Sequence, residues 1–230
     1  MSYYAEQKKA FERVENAVKK GKAEGSVVDP VQDYVQDKRL SLTSLSFLPP
    51  AVQQKIYHTL IIPLQVVDSQ QAYFEARSLH VTVQNIRTVA DPPLYTSADI
   101  EKAREIFHNI VPKYPLLKCR LEGLNIFPAS VAIRAFVSEE FRDLVLELRE
   151  ALRRNGVPDN KVYASGNVIF GNVTFVRFTT TPNKDFFAKV EELKECSFGE
   201  VHLEKVSLME VNALCHPSSM RVIDTYSFQK

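Results

Sequence analysis

The segment Leu79-His80-Val81-Thr82-Val83 has a near-copy about ninety residues later, Gly171-Asn172-Val173-Thr174-Phe175. In each copy, a polar residue and a threonine are separated by one apolar residue. Because side chains alternate between the two faces of a strand, each polar residue shares a face with its threonine. The apolar neighbours then point to the opposite face, which is suited to a core. The sequence therefore predicts two related strands, each with two polar groups on its open face.

These polar pairs are suited to phosphate chemistry. A hydroxyl beside an imidazole can donate a hydrogen bond to a phosphate oxygen while the imidazole moves a proton. His80 and Thr82 form such a pair, and the second copy has Asn172 with Thr174. Two such strands facing each other would form the walls of a cleft. We take these four residues as the candidate site.

A known family has this pattern. The chain resembles the LigT-like 2H phosphoesterases, which are named for two H-x-[ST] motifs on related strands of two lobes. Within them it most resembles the nucleotide-binding central domain of the A-kinase anchoring proteins. The resemblance covers roughly residues 55 to 229. It includes the late segment Phe198-Gly199-Glu200, followed by Val206-Ser207-Leu208-Met209 and a strand ending at Phe228.

The resemblance implies a specific chemistry. In a complete 2H site, one histidine is the general base, the other is the general acid, and the two Ser/Thr hydroxyls bind phosphate oxygens. Typical reactions open 2′,3′-cyclic phosphates or cleave 2′-5′ linkages, with no metal and no cofactor. The first motif fits, with His80 as base or acid. The second departs from the pattern, because Asn172 occupies the histidine position and an amide cannot transfer a proton. We therefore expect impaired or absent turnover.

Other polar residues offer few alternatives. His58 lies in the β-rich run from Ile56 to Leu64, which we predict to be a strand, and it could substitute for the missing histidine. Tyr163 could stack on a base at the rim of the cleft, although an ordinary surface tyrosine is the commoner case. We interpret the remaining histidines as solvated, packed or turn residues: His108, His202 and His216.

Composition narrows the class of protein. The 230 residues are 45% hydrophobic and 25% charged with a formal net charge of +1, which is typical of a globular domain and gives no argument for nucleic acid or a membrane. The N-terminus has no apolar signal region, and no apolar run is long enough to span a membrane. The three cysteines, Cys119, Cys196 and Cys215, lack metal-ligand spacing and indicate a reducing compartment. We expect a cytoplasmic or nuclear protein.

The order of predicted elements indicates the architecture. We expect an N-terminal helical extension over residues 1–50, with a helix over 3–23, and a 2H phosphoesterase-like domain over 51–230. In the second unit, strands alternate with helices and adjacent strands occur in pairs, which favours an α+β fold over a doubly wound parallel sheet. In this unit the spacing of apolar residues predicts helices over 97–111, 139–154 and 183–195, a short helix over 68–78, and strands over 199–210 and 220–228. Both halves show the same element order around their motifs. We expect two pseudo-twofold lobes of antiparallel sheet, with helices outside and a central cleft.

Three functions remain open. The first is a phosphodiesterase acting on RNA ends or on 2′-5′ oligonucleotides such as 2′-5′ oligoadenylate. The second is a catalytically impaired member that binds a nucleotide as a sensor or scaffold. The third is an interaction protein that binds a protein partner through its N-terminal helix. That helix could equally pack on the domain, because its apolar residues fall on one side of it.

Overall fold

The computed structural model describes residues 2–229 and consists of two antiparallel sheets with helices around them. The strands are β1 (Leu40–Phe47), β2 (Ala72–Tyr73), β3 (His80–Ala90), β4 (Leu117–Phe127), β5 (Ser130–Val137), β6 (Gly171–Arg177), β7 (Ser197–Leu203), β8 (Lys205–Val211) and β9 (Arg221–Ser227). The α-helices are α1 (Tyr3–Lys19), α2 (Pro50–Ile56), α3 (Ile62–Val67), α4 (Ser97–Ile110), α5 (Glu139–Arg154) and α6 (Lys184–Glu192). None of these helices is long and apolar enough to cross a membrane.

The two sheets place the two motifs on separate strands. The first sheet has the order β3-β1-β8-β9, and the second has the order β2-β6-β5-β4-β7. The first motif lies on β3, an edge strand of the first sheet, and the second lies on β6 in the second sheet. All the paired strands in both sheets are antiparallel. This arrangement confirms the predicted α+β, two-lobed architecture.

Amphipathic spacing predicted three helices of the body, α4, α5 and α6, to within a few residues. Helix α5 begins after Ser138, whose hydroxyl accepts a hydrogen bond from the Phe141 backbone N–H, and it ends before Asn155 and Gly156. Gly156 has a φ of +75°, the left-handed conformation that commonly follows a helix. The buried residues of this helix form a single stripe: Phe141, Leu144, Val145, Leu148 and Leu152.

The run from Ile56 to Leu64 is helical, so the predicted strand is wrong. Helix α2, a π-helical turn (Tyr57–Ile61) and α3 follow one another without a break. Pro50 occupies the first helical turn, where its fixed φ favours initiation. The buried apolar residues recur at helical spacing, a pattern that β-rich composition obscured: Ile56, Leu60, Ile61 and Leu64.

The first fifty residues contain more than a helical extension. Helix α1 is present as predicted, but β1 lies in the middle of the first sheet, paired with β3 and β8. The expected domain boundary at residue 50 therefore lies after β1, although β1 belongs to the first sheet of the body. Strand β1 was not predicted because its serines are polar in the sequence. Ser41 and Ser44 are buried, and their hydroxyls donate hydrogen bonds to backbone carbonyls of the two neighbouring strands.

Two smaller expectations also need correction. The region 199–210, predicted as one strand, contains β7 and β8, which belong to different sheets. The region 68–78, predicted as a short helix, has only the two-residue strand β2 and a 3₁₀ turn (Ala76–Ser78).

Helix α1 packs on the body through its apolar side. Phe11 is fully buried, and its ring lies 5.2 Å from that of Phe136 and 4.7 Å from that of Phe170. The Gln7 side chain donates to the backbone carbonyl of Val137 at 2.9 Å and accepts from its N–H at 2.8 Å. These contacts cover the apolar face of α1 with the second sheet.

Candidate functional site

The two motifs line one cavity. His80 and Thr82 of β3 and Asn172 and Thr174 of β6 all contribute to a cavity of about 610 Å³ between the sheets. Val81, between the first pair, is fully buried on the opposite face, as the alternation predicts. The structure therefore brings together the four residues that the sequence singled out.

A glycine allows the two motif strands to approach each other. A Cβ added at Gly171 would lie 3.0 Å from Val81 Cγ1 and 3.2 Å from the Cβ of Ala135. The first distance is shorter than an ordinary van der Waals contact between carbon atoms. The glycine that opens the second motif thus lets β6 lie close beside β3, which narrows the space between the two pairs of polar groups.

Hydrogen bonding fixes the tautomer of His80. Its Nδ1 lies 2.7 Å from the carbonyl oxygen of Ser78, which can only accept, so Nδ1 carries the proton. In the neutral imidazole, Nε2 then has its lone pair free. The rings of Phe47 and Phe74 lie 6.0 and 6.2 Å from the imidazole. This geometry orients His80 to accept a proton through Nε2.

The surroundings of His80 favour the neutral ring. Burial lowers the pKa of His80 from 6.5 to about 4; the hydrogen bond to Ser78 opposes this shift, and the charge of Arg177 adds to it. Deprotonation is therefore almost complete at neutral pH. At neutral pH His80 is therefore in the protonation state that a general base needs, and not in the state that a general acid needs.

Asn172 has no internal partner. Its Oδ1 is buried and unpaired, and no side-chain hydrogen bond within residues 2–229 involves it. An unsatisfied buried polar group costs about 1–3 kcal/mol, so this side chain is not placed there for stability. Its amide can donate a hydrogen bond to an anion in the cavity but cannot supply a proton.

Two cations in the cavity escaped the sequence analysis. Arg177 and Lys161 both line it, and within residues 2–229 neither is within ion-pair distance of a carboxylate. Arg177 donates its Nε–H to the Ala213 carbonyl at 2.5 Å, which fixes the guanidinium. Burial lowers the pKa of both groups, and each is further lowered by nearby positive charge. Partly buried cations without carboxylate partners favour binding of an anion.

A β-bulge explains why Arg177 was missed. Strict alternation after Thr174 would point Arg177 away from the cavity. In the pairing of β6 with β5, Thr174 lies opposite Ala132 and Arg177 opposite Ser130, so β6 contains one extra residue between them. Such a bulge reverses the facing of every later residue. The bulge cannot be predicted from the sequence of β6 alone, because it is defined by the pairing of β6 with β5.

Tyr163 lies at the cavity and His58 does not. The Tyr163 ring lines the cavity, with the Arg149 guanidinium 3.9 Å from its centroid, and its hydroxyl accepts from Gln84 at 3.2 Å. His58 is exposed on the π-helical turn and is not among the lining residues, so it is not placed to substitute for the missing histidine.

The remaining histidines and the cysteines have ordinary environments. His108 and His202 are exposed, and His216 lies in a turn beside Ser218. Burial raises the pKa of the Cys119 and Cys215 thiols to about 12, which makes both unreactive. In residues 2–229, no cluster of His, Cys, Asp and Glu is arranged to hold a metal ion.

The fold is that of the LigT-like phosphoesterase structures, so the resemblance expected from the sequence is confirmed at the level of fold. TT0787 of Thermus thermophilus matches with a TM-score of 0.59 at 16% identity, over 82% of this chain and 97% of that chain. E. coli LigT in its apo form matches with a TM-score of 0.55 at 10% identity, over 84% of this chain and 100% of that chain. E. coli LigT complexed with 3′-AMP gives a TM-score of 0.54 at 11% identity, with the same coverage. No family model and no curated protein matches the sequence.

Proposed function

We propose that this protein is a 2H phosphoesterase-like protein that binds the phosphate of a nucleotide or short oligonucleotide in the cavity between its sheets. The observation that carries this proposal is the convergence of His80–Thr82 and Asn172–Thr174 on one cavity that also holds Arg177. The hydroxyls and the amide supply neutral hydrogen-bond donors, and the guanidinium supplies charge. Both kinds of group stabilise a bound phosphate.

Structures of a protein with the same fold support a nucleotide as the ligand. E. coli LigT has been crystallised with 3′-AMP, with phosphate and with ATP. For this chain, the volume of about 610 Å³ is within the range of small-molecule sites. We therefore propose a nucleotide, or the terminal nucleotide of an RNA or 2′-5′ oligonucleotide, as the occupant.

The catalytic capability of the site is incomplete. His80 supplies a general base, but the position that would hold the general acid has Asn172. The reaction that the site would perform is opening of a 2′,3′-cyclic phosphate or cleavage of a 2′-5′ linkage, with weak turnover. Asn172 equally favours a second candidate, a nucleotide-binding sensor or scaffold without turnover. Measured hydrolysis separates the two candidates.

Action through the N-terminal helix is the weaker candidate. The apolar face of α1 is buried against the second sheet, with Phe11 fully covered. A protein partner would have to bind the charged, exposed side of this helix or displace it from the body.

Removal of both threonine hydroxyls is expected to weaken phosphate binding strongly. Thr82→Val and Thr174→Val retain the shape of each side chain and remove its hydrogen bond. A hydrogen bond to a charged group contributes about 1.5–3 kcal/mol, so each substitution should raise the Kd for 3′-AMP at least about tenfold. Titration calorimetry would measure this. Thr59→Val, outside the cavity, is the matched control and should leave the Kd unchanged; similar Kd values for all variants would contradict the proposal.

His80 is expected to stay neutral well below the ordinary pH of histidine titration. Because burial lowers its pKa to about 4, its NMR signals should shift as the pH falls toward 4 and stay constant between pH 6 and 8. Added phosphate should raise this pKa, since an adjacent anion favours the imidazolium. The His80→Gln variant assigns the signal. A midpoint near 6.5 without phosphate would show that the base is solvated and would contradict the geometry.

A further inference from the structure

The two motif strands share a feature beyond their polar pairs. Each contains a β-bulge directly after its threonine. In the pairing of β1 with β3, Leu45 lies opposite Thr82 and Thr43 opposite Asn85, so β3 has one extra residue between them. The bulge in β6 between Thr174 and Arg177 has the same position in its motif. Asn85 is therefore the counterpart of Arg177, and both line the cavity.

Asn85 has no partner for its side chain. Its Oδ1 is buried and unpaired, and no side-chain hydrogen bond of its carboxamide occurs within residues 2–229. The β1 partners of Thr82 and Asn85 are Leu45 and Thr43, which are two residue steps apart. At about 3.3 Å per residue, Asn85 lies about 7 Å along the sheet from Thr82. A group bound by Asn85 would therefore lie about the width of a sugar ring away from a phosphate bound by Thr82.

An aromatic side chain, that of Tyr163, lines the same cavity as Asn85. The Tyr163 hydroxyl accepts from Gln84, the neighbour of Asn85 in the chain, and the Arg149 guanidinium covers the ring at 3.9 Å. The loop that carries Tyr163 is held against β3, because the Thr88 N–H donates to Asn160 Oδ1 at 2.8 Å. The phenol–guanidinium stack is therefore anchored to β3 and borders the same cavity. Aromatic rings and guanidinium planes are surfaces on which nucleobases stack.

We infer that Asn85 and Tyr163 form a nucleobase subsite, in which the Asn85 carboxamide reads the edge of the base and Tyr163 with Arg149 supports its face. A carboxamide has one donor side and one acceptor side, which match the adjacent donor and acceptor of a base edge. The charged Arg177 faces the phosphate at the equivalent position of the other motif. The bulges thus place a cation, Arg177, after one motif and a neutral carboxamide, Asn85, after the other. This inference rests on the proposed nucleotide-binding function.

The test compares a phosphate with and without a base. Titration calorimetry of the full chain with inorganic phosphate and with 3′-AMP should show tighter binding of 3′-AMP. Asn85→Ala should weaken 3′-AMP binding about tenfold, the effect of losing one base contact, and should leave phosphate binding unchanged. Tyr163→Leu should act in the same direction. Asn109→Ala, on the exposed side of α4, is the matched control and should change neither.

Each outcome bears on one proposal. If 3′-AMP binds no more tightly than phosphate, or if Asn85→Ala and Asn85→Ser leave the affinity for 3′-AMP unchanged, the base subsite is overturned while phosphate binding stands. If the unmodified chain binds neither probe, the proposed function itself is overturned. Melting curves of the variants check that they fold, and the unchanged phosphate affinity of Asn85→Ala provides the same check at the site.

Discussion

Asn172→His is expected to raise hydrolysis of adenosine 2′,3′-cyclic phosphate about 10²–10⁴-fold, the usual contribution of one positioned proton-transfer group. His80 is neutral at pH 7 and has its Nε2 lone pair free, so it can take the proton of an attacking water. The water oxygen then bonds to phosphorus, and the bond to one ribose oxygen breaks. That oxygen needs a proton, which an amide cannot give. An imidazolium introduced at residue 172 would supply it.

Matched variants make this result specific to the site. Asn109→His places the same side chain on an exposed helix position and should have no effect. His80→Gln combined with Asn172→His should return turnover to the level of the unmodified chain. Rates with 2′-5′ oligoadenylate, measured in parallel, identify the preferred linkage. If the unmodified chain already turns over as fast as Asn172→His, a different proton donor is present, and the role assigned to residue 172 is wrong.

Local sequence signals were sufficient for much of the fold. Helix α5 could be predicted because its apolar stripe, its Ser138 cap and the glycine after it all lie within one short segment. The polar faces of β3 and β6 could be predicted as far as their threonines, because alternation needs no knowledge of the neighbouring strand. The same signals fail where pairing between distant segments determines the structure.

The missed features depend on such pairing. Asn85 and Arg177 face the cavity only because bulges shift the register of β3 and β6. Strand β1 was missed because Ser41 and Ser44 are polar in the sequence, yet neighbouring strands satisfy their hydroxyls in the fold. Lys161 enters the cavity from a loop, where periodicity carries no information. Sequence reasoning therefore missed the residues whose position depends on a β-bulge, on strand pairing or on a loop.

Gly171→Val is expected to destabilise the protein and to weaken the candidate site together. Even a Cβ at this position would lie 3.0 Å from Val81 Cγ1, 3.2 Å from Ala135 Cβ and 3.4 Å from Val137 Cγ1. All three neighbours are buried and cannot move into solvent. Overpacking of this kind costs about 1–3 kcal/mol. In a protein of this size, such a loss lowers the Tm by about 2–12 °C.

The same substitution should also reduce binding of 3′-AMP, because it separates the strand that carries Asn172 from the strand that carries His80. Gly166→Ala is the matched control: a Cβ there meets nothing within 4 Å, so both Tm and Kd should stay unchanged. The effects of Gly171→Ala on Tm and Kd should fall between those of Gly166→Ala and Gly171→Val, because it adds the close Cβ contacts without the branched methyl groups. Thermal melts and titration calorimetry measure the two effects separately. A Gly171→Val variant with unchanged Tm and Kd would show that the approach of β3 and β6 is not what holds the two motifs at one cavity.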